Sequence, residues 1–199
     1  METPLGGLAF LLSDQGVAAV RLGYADWEAA LDAVVSLRKV DSRFPTGLSR
    51  RQEAPCLTVG LLHWCGLGEN SQPTELASRL ADEFARYFAR ETVDFGSIPL
   101  DFGQATVFQR QVWGACRSIR FGETMSYGGL AARIGRASAV RAVGRALGAN
   151  PIPLIIPCHR VVSADGDLRG YSGFGGTVTK RKLLELERAA IEKPTPECG

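Results

Sequence analysis

A thiol and an imidazole stand side by side at Cys158 and His159, and these residue types are the ones best suited to nucleophilic chemistry. They lie in an apolar, proline-containing segment, residues 152–162, at the end of the most arginine-rich part of the chain. The thiolate is the nucleophilic form of cysteine, and nearby cations or a neighbouring base favour it. Among the five cysteines of the chain, Cys158 is therefore the candidate nucleophile.

The same segment predicts a buried strand, and a strand sets a geometric requirement. Adjacent side chains of a strand point to opposite faces, so His159 reaches Cys158 only through a bend or a bridging water. A carboxylate should hold the other imidazole nitrogen, and the last predicted helix, residues 179–190, offers Glu185 and Glu187. The alternative is structural, since a buried cysteine usually acts as a small apolar residue and helix carboxylates usually face water.

Two short helices separated by a tight turn precede this segment. Residues 126–134 and 138–149 have helical patterns, with Gly135 in the turn and Ser138 as the expected cap of the second helix. Helix, glycine-containing turn and helix form the helix-turn-helix arrangement. A further helix, capped by a threonine, is predicted over residues 106–118.

The second helix of this pair contains small residues and two regularly spaced arginines. Gly144 and Gly148 weaken a helix, so their presence indicates that another surface approaches it closely. Arg141 and Arg145, four residues apart, project from one side. An anionic partner would suit both features, whereas tight packing against another helix, with solvated arginines, is the alternative.

Charge is divided unevenly along the chain. Residues 1–100 carry 9 Lys and Arg against 13 Asp and Glu, whereas residues 101–199 carry 14 against 8. The formal net charge of +2 is thus the sum of −4 and +6. Because a basic region favours an anionic partner, nucleic acid is the first candidate for the second half.

We predict an α+β fold made of two domains. Residues 1–100 form a small structural domain of antiparallel sheet and helix, and residues 101–199 form a mainly helical domain with the helix-turn-helix and a short active-site strand. The predicted elements of the first domain are, in chain order, strands at 7–12 and 17–22, a helix at 25–39, a loop at 41–75, a helix that Thr74 caps and a strand at 93–100.

Composition excludes several classes of protein. With 45% hydrophobic and 22% charged residues over 199 positions, the chain can form a globular core. No apolar stretch approaches the roughly 20 residues that span a bilayer, and the N-terminus lacks a basic segment before an apolar one, so we expect a cytoplasmic protein. His63, Cys65 and Cys56 lack a fourth ligand and a recognised spacing, so we expect no bound metal.

A series of motifs runs through residues 105–188. They are Phe108-Gln109 through Trp113, Gly122-Glu123-Thr124 with Ser126-Tyr127, Arg141-Ala142-Val143-Gly144, Asn150-Pro151, Pro157-Cys158-His159-Arg160-Val161, Gly170-Tyr171-Ser172-Gly173, and Leu183-Leu184 before Glu187. In order and spacing this series resembles the O6-alkylguanine-DNA alkyltransferase family, whose members repair alkylated bases by accepting the alkyl group on their own cysteine. Residues 1–100 resemble the family only loosely, chiefly at residues 3–8.

The resemblance implies a role for each residue of the reaction. Cys158 would accept the alkyl group, His159 would act as a base through a water, and Glu187 would hold the imidazole. Tyr127 would contact the guanine and assist its departure. Asn150 would sit at the turn that joins the helix-turn-helix to the active-site strand.

The resemblance also implies how DNA is bound. The second helix would lie in the minor groove, where Ser138 and Ala142 contact the duplex and Arg141 fills the space left by a base flipped out of the stack. The remaining residues would form the pocket for the base. They are Tyr171 and Leu147 as its walls, Ser172 near the O6 atom, and the carbonyls of Cys158 and Val161 as acceptors from the guanine amino group.

Several expectations follow from this family likeness. The partner would be double-stranded DNA carrying O6-alkylguanine, bound largely without sequence preference, and O4-methylthymine would be a second substrate. No cofactor is needed, and each molecule acts once because a thioether has no good leaving group. The protein would be a monomer in the absence of DNA and would not bind membranes. We also expect no regulatory methyl-phosphotriester activity, since the sequence shows no N-terminal transcription-activating zinc domain like that of the adaptive-response members.

The sequence departs from the family in one place, and other classes of protein remain as alternatives. Between Tyr171 and Leu183 the chain is about two residues longer than in other members, which affects the tolerance of bulky alkyl groups. One alternative is a lesion-binding protein without alkyl transfer, although that group replaces the cysteine. A helix-turn-helix regulator would read sequence through the major groove, and a Cys-His-Glu hydrolase would turn over repeatedly.

Overall fold

The computed structural model describes residues 1–38, 56–59, 62–65, 74–168, 171 and 175–192. The elements of the first half are β1 (Glu2–Thr3), β2 (Gly6–Ser13), β3 (Gly16–Tyr24), α1 (Trp27–Arg38), β4 (Cys56–Val59), β5 (Leu62–Cys65) and α2 (Glu75–Phe88). Those of the second half are α3 (Val107–Arg117), β6 (Met125–Ser126), α4 (Tyr127–Arg133), α5 (Val140–Gly148), β7 (Val161–Val162) and α6 (Gly176–Ile191). Helices and small sheets in this order confirm the predicted α+β class.

The N-terminal sheet has the order β1-β2-β3 with antiparallel pairing, which confirms the predicted hairpin. Its turn ends at Gly16, whose φ of +137° is unsuited to other residues. A Cβ at this position would lie 2.4 Å from the carbonyl oxygen of Pro99. Val17 next to it donates its N–H to the same oxygen over 2.9 Å. Glycine at position 16 therefore allows the segment that contains Pro99 to pair with the start of β3.

Two helices accompany this sheet, as the sequence predicts. In α2 the side chain of Thr74 accepts from the N–H of Ala77 over 3.2 Å, which confirms the cap. Leu80 and Phe84 are fully buried on one face of the helix. The ring of Phe84 lies 6.1 Å from that of Phe10 in β2, so α2 packs on the sheet through this face.

Two predictions for the first half are wrong. Residues 41–75 contain the antiparallel pair β4 and β5 rather than a continuous loop, and Thr58, Val59 and Trp64 in this pair are residue types that strands favour. Residues 93–100 contain a 3-10 turn, Phe95–Ser97, instead of a strand, and Leu100 at their end forms an isolated β-bridge with Val17. The carboxylate of Asp94 accepts from the N–H of Gly96 over 2.8 Å and so favours the turn.

The helix-turn-helix is present in the second half. Thr106 and Gln109 form a capping box at the start of α3, and Ser126 caps α4. Gly135 in the turn between α4 and α5 has a φ of +70°. The expected cap of α5 is wrong, because the helix begins after Ala139 without a side-chain cap and Ser138 is exposed in the turn.

The segment that carries Cys158 and His159 is buried but is not a strand over its length. Pro151, Pro153 and Pro157 lack an N–H, and Leu154 adopts a positive φ of 73°, so the chain folds back in tight turns. A 3-10 turn, Cys158–Arg160, follows, and the pairing of β7 with β6 is parallel and two residues long. The predicted strand is thus correct at residues 161–162 and wrong before them.

The two halves contact each other at the start of this segment. The carbonyl oxygen of Pro151 accepts from the N–H of Val20 over 3.0 Å and from Nη1 of Arg21 over 3.3 Å. The buried apolar residues of both halves also form one continuous core. The division at residue 100 stays a prediction, but the described part of the chain buries its apolar surface as a single body.

Neither a membrane-spanning helix nor a metal site is found among the described residues. They contain no helix that is both long and apolar enough to cross a membrane. Nor does this part of the chain hold a group of three His, Cys, Asp or Glu residues arranged for a metal ion. The side chains of Cys56, His63 and Cys65 lie outside what the structure describes.

Candidate active site

Cys158 begins a 3-10 turn and is only 5% exposed. The amide of Asn150 organises the turns around it: its Nδ2 donates to the carbonyl oxygen of Ile156 over 2.9 Å and lies 3.3 Å from the sulfur of Cys158. Its Oδ1 accepts from the N–H of Ile152 over 2.9 Å. One side chain therefore holds both ends of the tight segment and contacts the thiol.

His159 is fully buried and directed toward α6. Its Nε2 lies 2.7 Å from Oε1 of Glu187, whereas its buried Nδ1 has no hydrogen-bond partner among the described residues. A 3-10 turn has three residues per turn, so the side chains of Cys158 and His159 are not on opposite faces as they would be in a strand. Glu185, the other carboxylate considered, is exposed.

Glu187 is a buried carboxylate with donors from three parts of the chain. Its Oε1 accepts from the hydroxyl of Tyr87 over 2.7 Å and its Oε2 from the N–H of Gly122 over 2.9 Å. Arg160 donates through Nε to Oε2 over 3.0 Å and through Nη2 to Oε1 over 3.0 Å. Burial raises the pKa of Glu187, but His159 and Arg160 outweigh burial and hold that pKa well below its ordinary range. Glu187 is therefore ionised.

His159 is neutral in the folded protein. Burial lowers the pKa of its imidazole, against the opposing effect of Glu187. With Arg160 already compensating the carboxylate, the neutral ring donates its Nε2–H to Glu187 and leaves the lone pair on Nδ1. This is the protonation state that a base needs before it takes a proton.

Two tyrosines and a lysine surround the thiol. Burial, followed by the charge that Cys158 can carry, raises the pKa of Tyr127 and raises that of Tyr171 well above its ordinary value. Both phenols are thus hydrogen-bond donors at neutral pH. The buried ammonium of Lys180 donates to the carbonyl oxygen of Val161 over 2.6 Å and lies 5.7 Å from the ring centre of Tyr127.

Four of the predicted DNA-binding residues lie on α5 and the turn before it. Arg141 and Ser138 are exposed, Ala142 is half-buried and Leu147 is buried. The indole N–H of Trp113 donates to the carbonyl oxygen of Ala146 over 2.8 Å and so ties α5 to α3. A Cβ on Gly144 would lie 3.9 Å from the ring of Tyr127, so this small residue faces the site. Ser172 lies outside the described residues.

Sequence reasoning did not assign roles to three buried polar residues of the site. Tyr87 lies in the first half, in an aromatic pattern typical of a core. Arg160 lies in the segment predicted to be buried, and Lys180 lies on the last helix; their charges could have been noticed because a buried charge requires a partner. The partners themselves, 27 and 19 residues away, could not be read from the sequence.

Comparison with known proteins agrees with this geometry. Residues 107–189 match the model of a family described as the DNA-binding domain of 6-O-methylguanine DNA methyltransferase. The methylated-DNA–protein-cysteine methyltransferase of Salmonella typhimurium is 47% identical over 187 residues, which are 94% of this chain and 92% of that protein. This chain belongs to the methylated-DNA–protein-cysteine methyltransferase family.

The fold of this family member is also similar to that of solved structures. The crystal structure of Mycobacterium tuberculosis O6-methylguanine methyltransferase is 32% identical with a TM-score of 0.66, and the match covers 98% of this chain and 93% of that one. A Mycobacterium tuberculosis OGT solved in complex with DNA is 48% identical with a TM-score of 0.52, over 56% of this chain and 65% of that one. Some curated methyltransferases match over shorter regions, so the match spans 66% or 62% of their length.

Proposed function

We propose that this family member repairs DNA by direct reversal of damage. It transfers the methyl or alkyl group of O6-alkylguanine to the sulfur of Cys158, and it accepts O4-methylthymine as a second substrate. The observation that carries the proposal is a buried thiol beside a neutral His159 that an ionised Glu187 orients, next to a helix-turn-helix. Since DNA must be reached, we place the protein in the cytoplasm.

The reaction is a direct displacement without a cofactor. The bond from the Cys158 sulfur to the alkyl carbon forms while the bond from that carbon to guanine O6 breaks. The thiol proton passes through a water to Nδ1 of His159, and the departing guanine takes up one proton. Tyr127 assists the departure, because its raised pKa keeps the phenol a donor. The thioether has no good leaving group, so each molecule acts once.

Duplex DNA binds through α5 in the minor groove. Arg141 is exposed and fills the gap left by the flipped base, while Ser138 and Ala142 lie against the duplex. Such contacts carry little sequence information, so binding is largely independent of sequence and weakens with salt. The complex of a related OGT with DNA supports this partner.

The flipped base enters a pocket beside Cys158. Tyr171 and Leu147 form its walls, and Ser172 approaches O6. Asn150 keeps the turn of Cys158 in place through the bonds described above. The carbonyl of Val161 can accept from the guanine amino group and from Lys180 together, since a carbonyl oxygen has two lone pairs.

Intact-protein mass spectrometry tests the proposal. The protein is measured before and after mixing with excess duplex that contains O6-methylguanine, followed by peptide mapping. We expect one added methyl per protein, on the peptide that carries Cys158. Cys158→Ser should gain none, whereas the control Cys116→Ala should gain one. No mass change together with tight retention of the damaged duplex would contradict alkyl transfer and indicate a lesion-binding protein.

A further inference from the structure

We propose that Tyr87 of the first half is a positioning residue for alkyl transfer, because its hydroxyl holds the carboxylate that orients His159. This inference rests on the proposed function. It gives the first half, expected above to be structural, a part in the reaction. Tyr87 touches neither the thiol nor the base and acts through Glu187.

Tyr87, Glu187 and His159 form one series of hydrogen bonds. The hydroxyl of Tyr87 donates to Oε1 of Glu187 over 2.7 Å, and the same oxygen lies 2.7 Å from Nε2 of His159. All three side chains are fully buried. Bulk water therefore does not reach this carboxylate oxygen in the folded protein, and Tyr87 and Arg160 together set its direction.

The ring of Tyr87 is held from several sides. Phe121 meets it edge-on with ring centres 5.7 Å apart, and Phe95 lies at 6.1 Å. Burial, followed by the charge of Glu187, raises the pKa of Tyr87 well above its ordinary value, so the phenol remains a donor. A fixed ring with a protonated hydroxyl is what a positioning group requires.

Arg160 and Gly122 also donate to Glu187, so the carboxylate stays ionised without Tyr87. The loss of the hydroxyl would have two separate effects. Oε1 would lose one of the two side chains that fix its direction and would keep only Arg160, so the imidazole would be less well aligned. The same oxygen would also share its negative charge with fewer donors and would stabilise the imidazolium of His159 more strongly, which raises the pKa of His159.

The test is Tyr87→Phe, which removes the hydroxyl and keeps the ring. Single-turnover transfer from duplex O6-methylguanine and from free O6-methylguanine base is measured as a function of pH. We expect both rates to fall by a similar factor, about tenfold, because a misplacement of 1 Å can cost up to roughly 100-fold. The acid limb of the profile should move upward by about half a pH unit. The dissociation constant for the duplex should not change.

Phe95→Leu is the matched control. It loosens the packing of the Tyr87 ring but leaves the hydroxyl, so it should lower stability without moving the acid limb. If Tyr87→Phe is unstable, trimethylamine N-oxide added to all samples favours the folded state. A wild-type rate and acid limb in Tyr87→Phe, or an equal shift in Phe95→Leu, would overturn the inference.

The proposed function and this inference fail in different ways. If the wild-type protein transfers no methyl group, the proposed function fails. The histidine NMR titration then decides the geometric claim, and with two histidines in the chain a His63→Gln variant assigns the resonances. An imidazole of His159 that titrates alike in wild-type protein and in Tyr87→Phe overturns the role of the hydroxyl, whereas an upward shift supports it.

Discussion

Replacing Glu187 by glutamine keeps the size of the side chain and removes its charge. In the folded protein Glu187 is fully buried and compensates the guanidinium of Arg160, which is only 5% exposed. The new amide would also turn an NH2 group toward donors, because Tyr87 and Gly122 supply hydrogens to the two oxygens. We expect Glu187→Gln to be strongly destabilising and to lack alkyl transfer.

The magnitude of this destabilisation follows from the loss of the buried ion pair between Glu187 and Arg160. Removing one partner of such a pair costs about 3–5 kcal/mol, because the other charge stays buried without compensation. For a protein of this length each kcal/mol lowers the unfolding midpoint by about 2–4 °C, so the expected decrease is roughly 6–20 °C. The same pair would contribute little if it were exposed, since water would solvate both ions.

Urea and thermal unfolding at neutral pH measure this decrease, with Glu192→Gln as the matched control. Glu192 follows α6 and pairs with Arg188 over 2.7 Å, but both side chains are largely exposed. The control should leave the midpoint within experimental error of the wild type. A loss of less than about 1 kcal/mol in Glu187→Gln would refute the claim that Arg160 depends on this carboxylate.

Three other variants test the turn, the protonation state and the DNA contact. Gly135→Ala should cost about 1–2 kcal/mol in urea unfolding, from the positive φ alone, since no atom lies within 4 Å of the new Cβ; an unchanged midpoint would contradict the turn geometry. His159→Gln should remove a loss of stability that we expect of the wild type below about pH 6.5, because burial lowers the pKa of His159 and folding then opposes protonation. Unfolding free energies measured down to about pH 5 test this, and an equal loss in both proteins would refute a neutral His159. Arg141→Ala should fold normally and slow transfer from duplex DNA more than from the free base, measured by single-turnover kinetics; equal losses would remove its role in base flipping.

The helices α3 and α4 were predictable because their sequences mark their own starts and faces. Thr106 and Ser126 are caps with local partners, and the patterns that follow them have the helical period. The choice between the two carboxylates of α6 also has a local signal. Lys180, Leu183 and Glu187 recur at helical spacing on the buried face, whereas Glu185 lies on the other side.

The shape of the nucleophile segment could not be predicted from its composition. An apolar run indicates burial but does not distinguish a strand from buried turns. Here the amide of Asn150 takes over hydrogen bonds that a neighbouring strand would supply, and prolines remove others. The hydrogen bond from Tyr87 to Glu187 could not be predicted either. It joins residues 100 positions apart, and the sequence around Tyr87 is typical of an ordinary core aromatic.

The position of Glu187 in the last helix affects how the protein folds during its synthesis. The ribosome synthesises the sheet, α2 and the helix-turn-helix before α6. Arg160 therefore has no ion pair with Glu187 until the last helix leaves the ribosome. A product that stops short of α6 lacks both the carboxylate that pairs with Arg160 and the apolar residues that α6 adds to the core, so we expect it to be strongly destabilised. We therefore expect premature termination before α6 to leave no stably folded fragment of this protein.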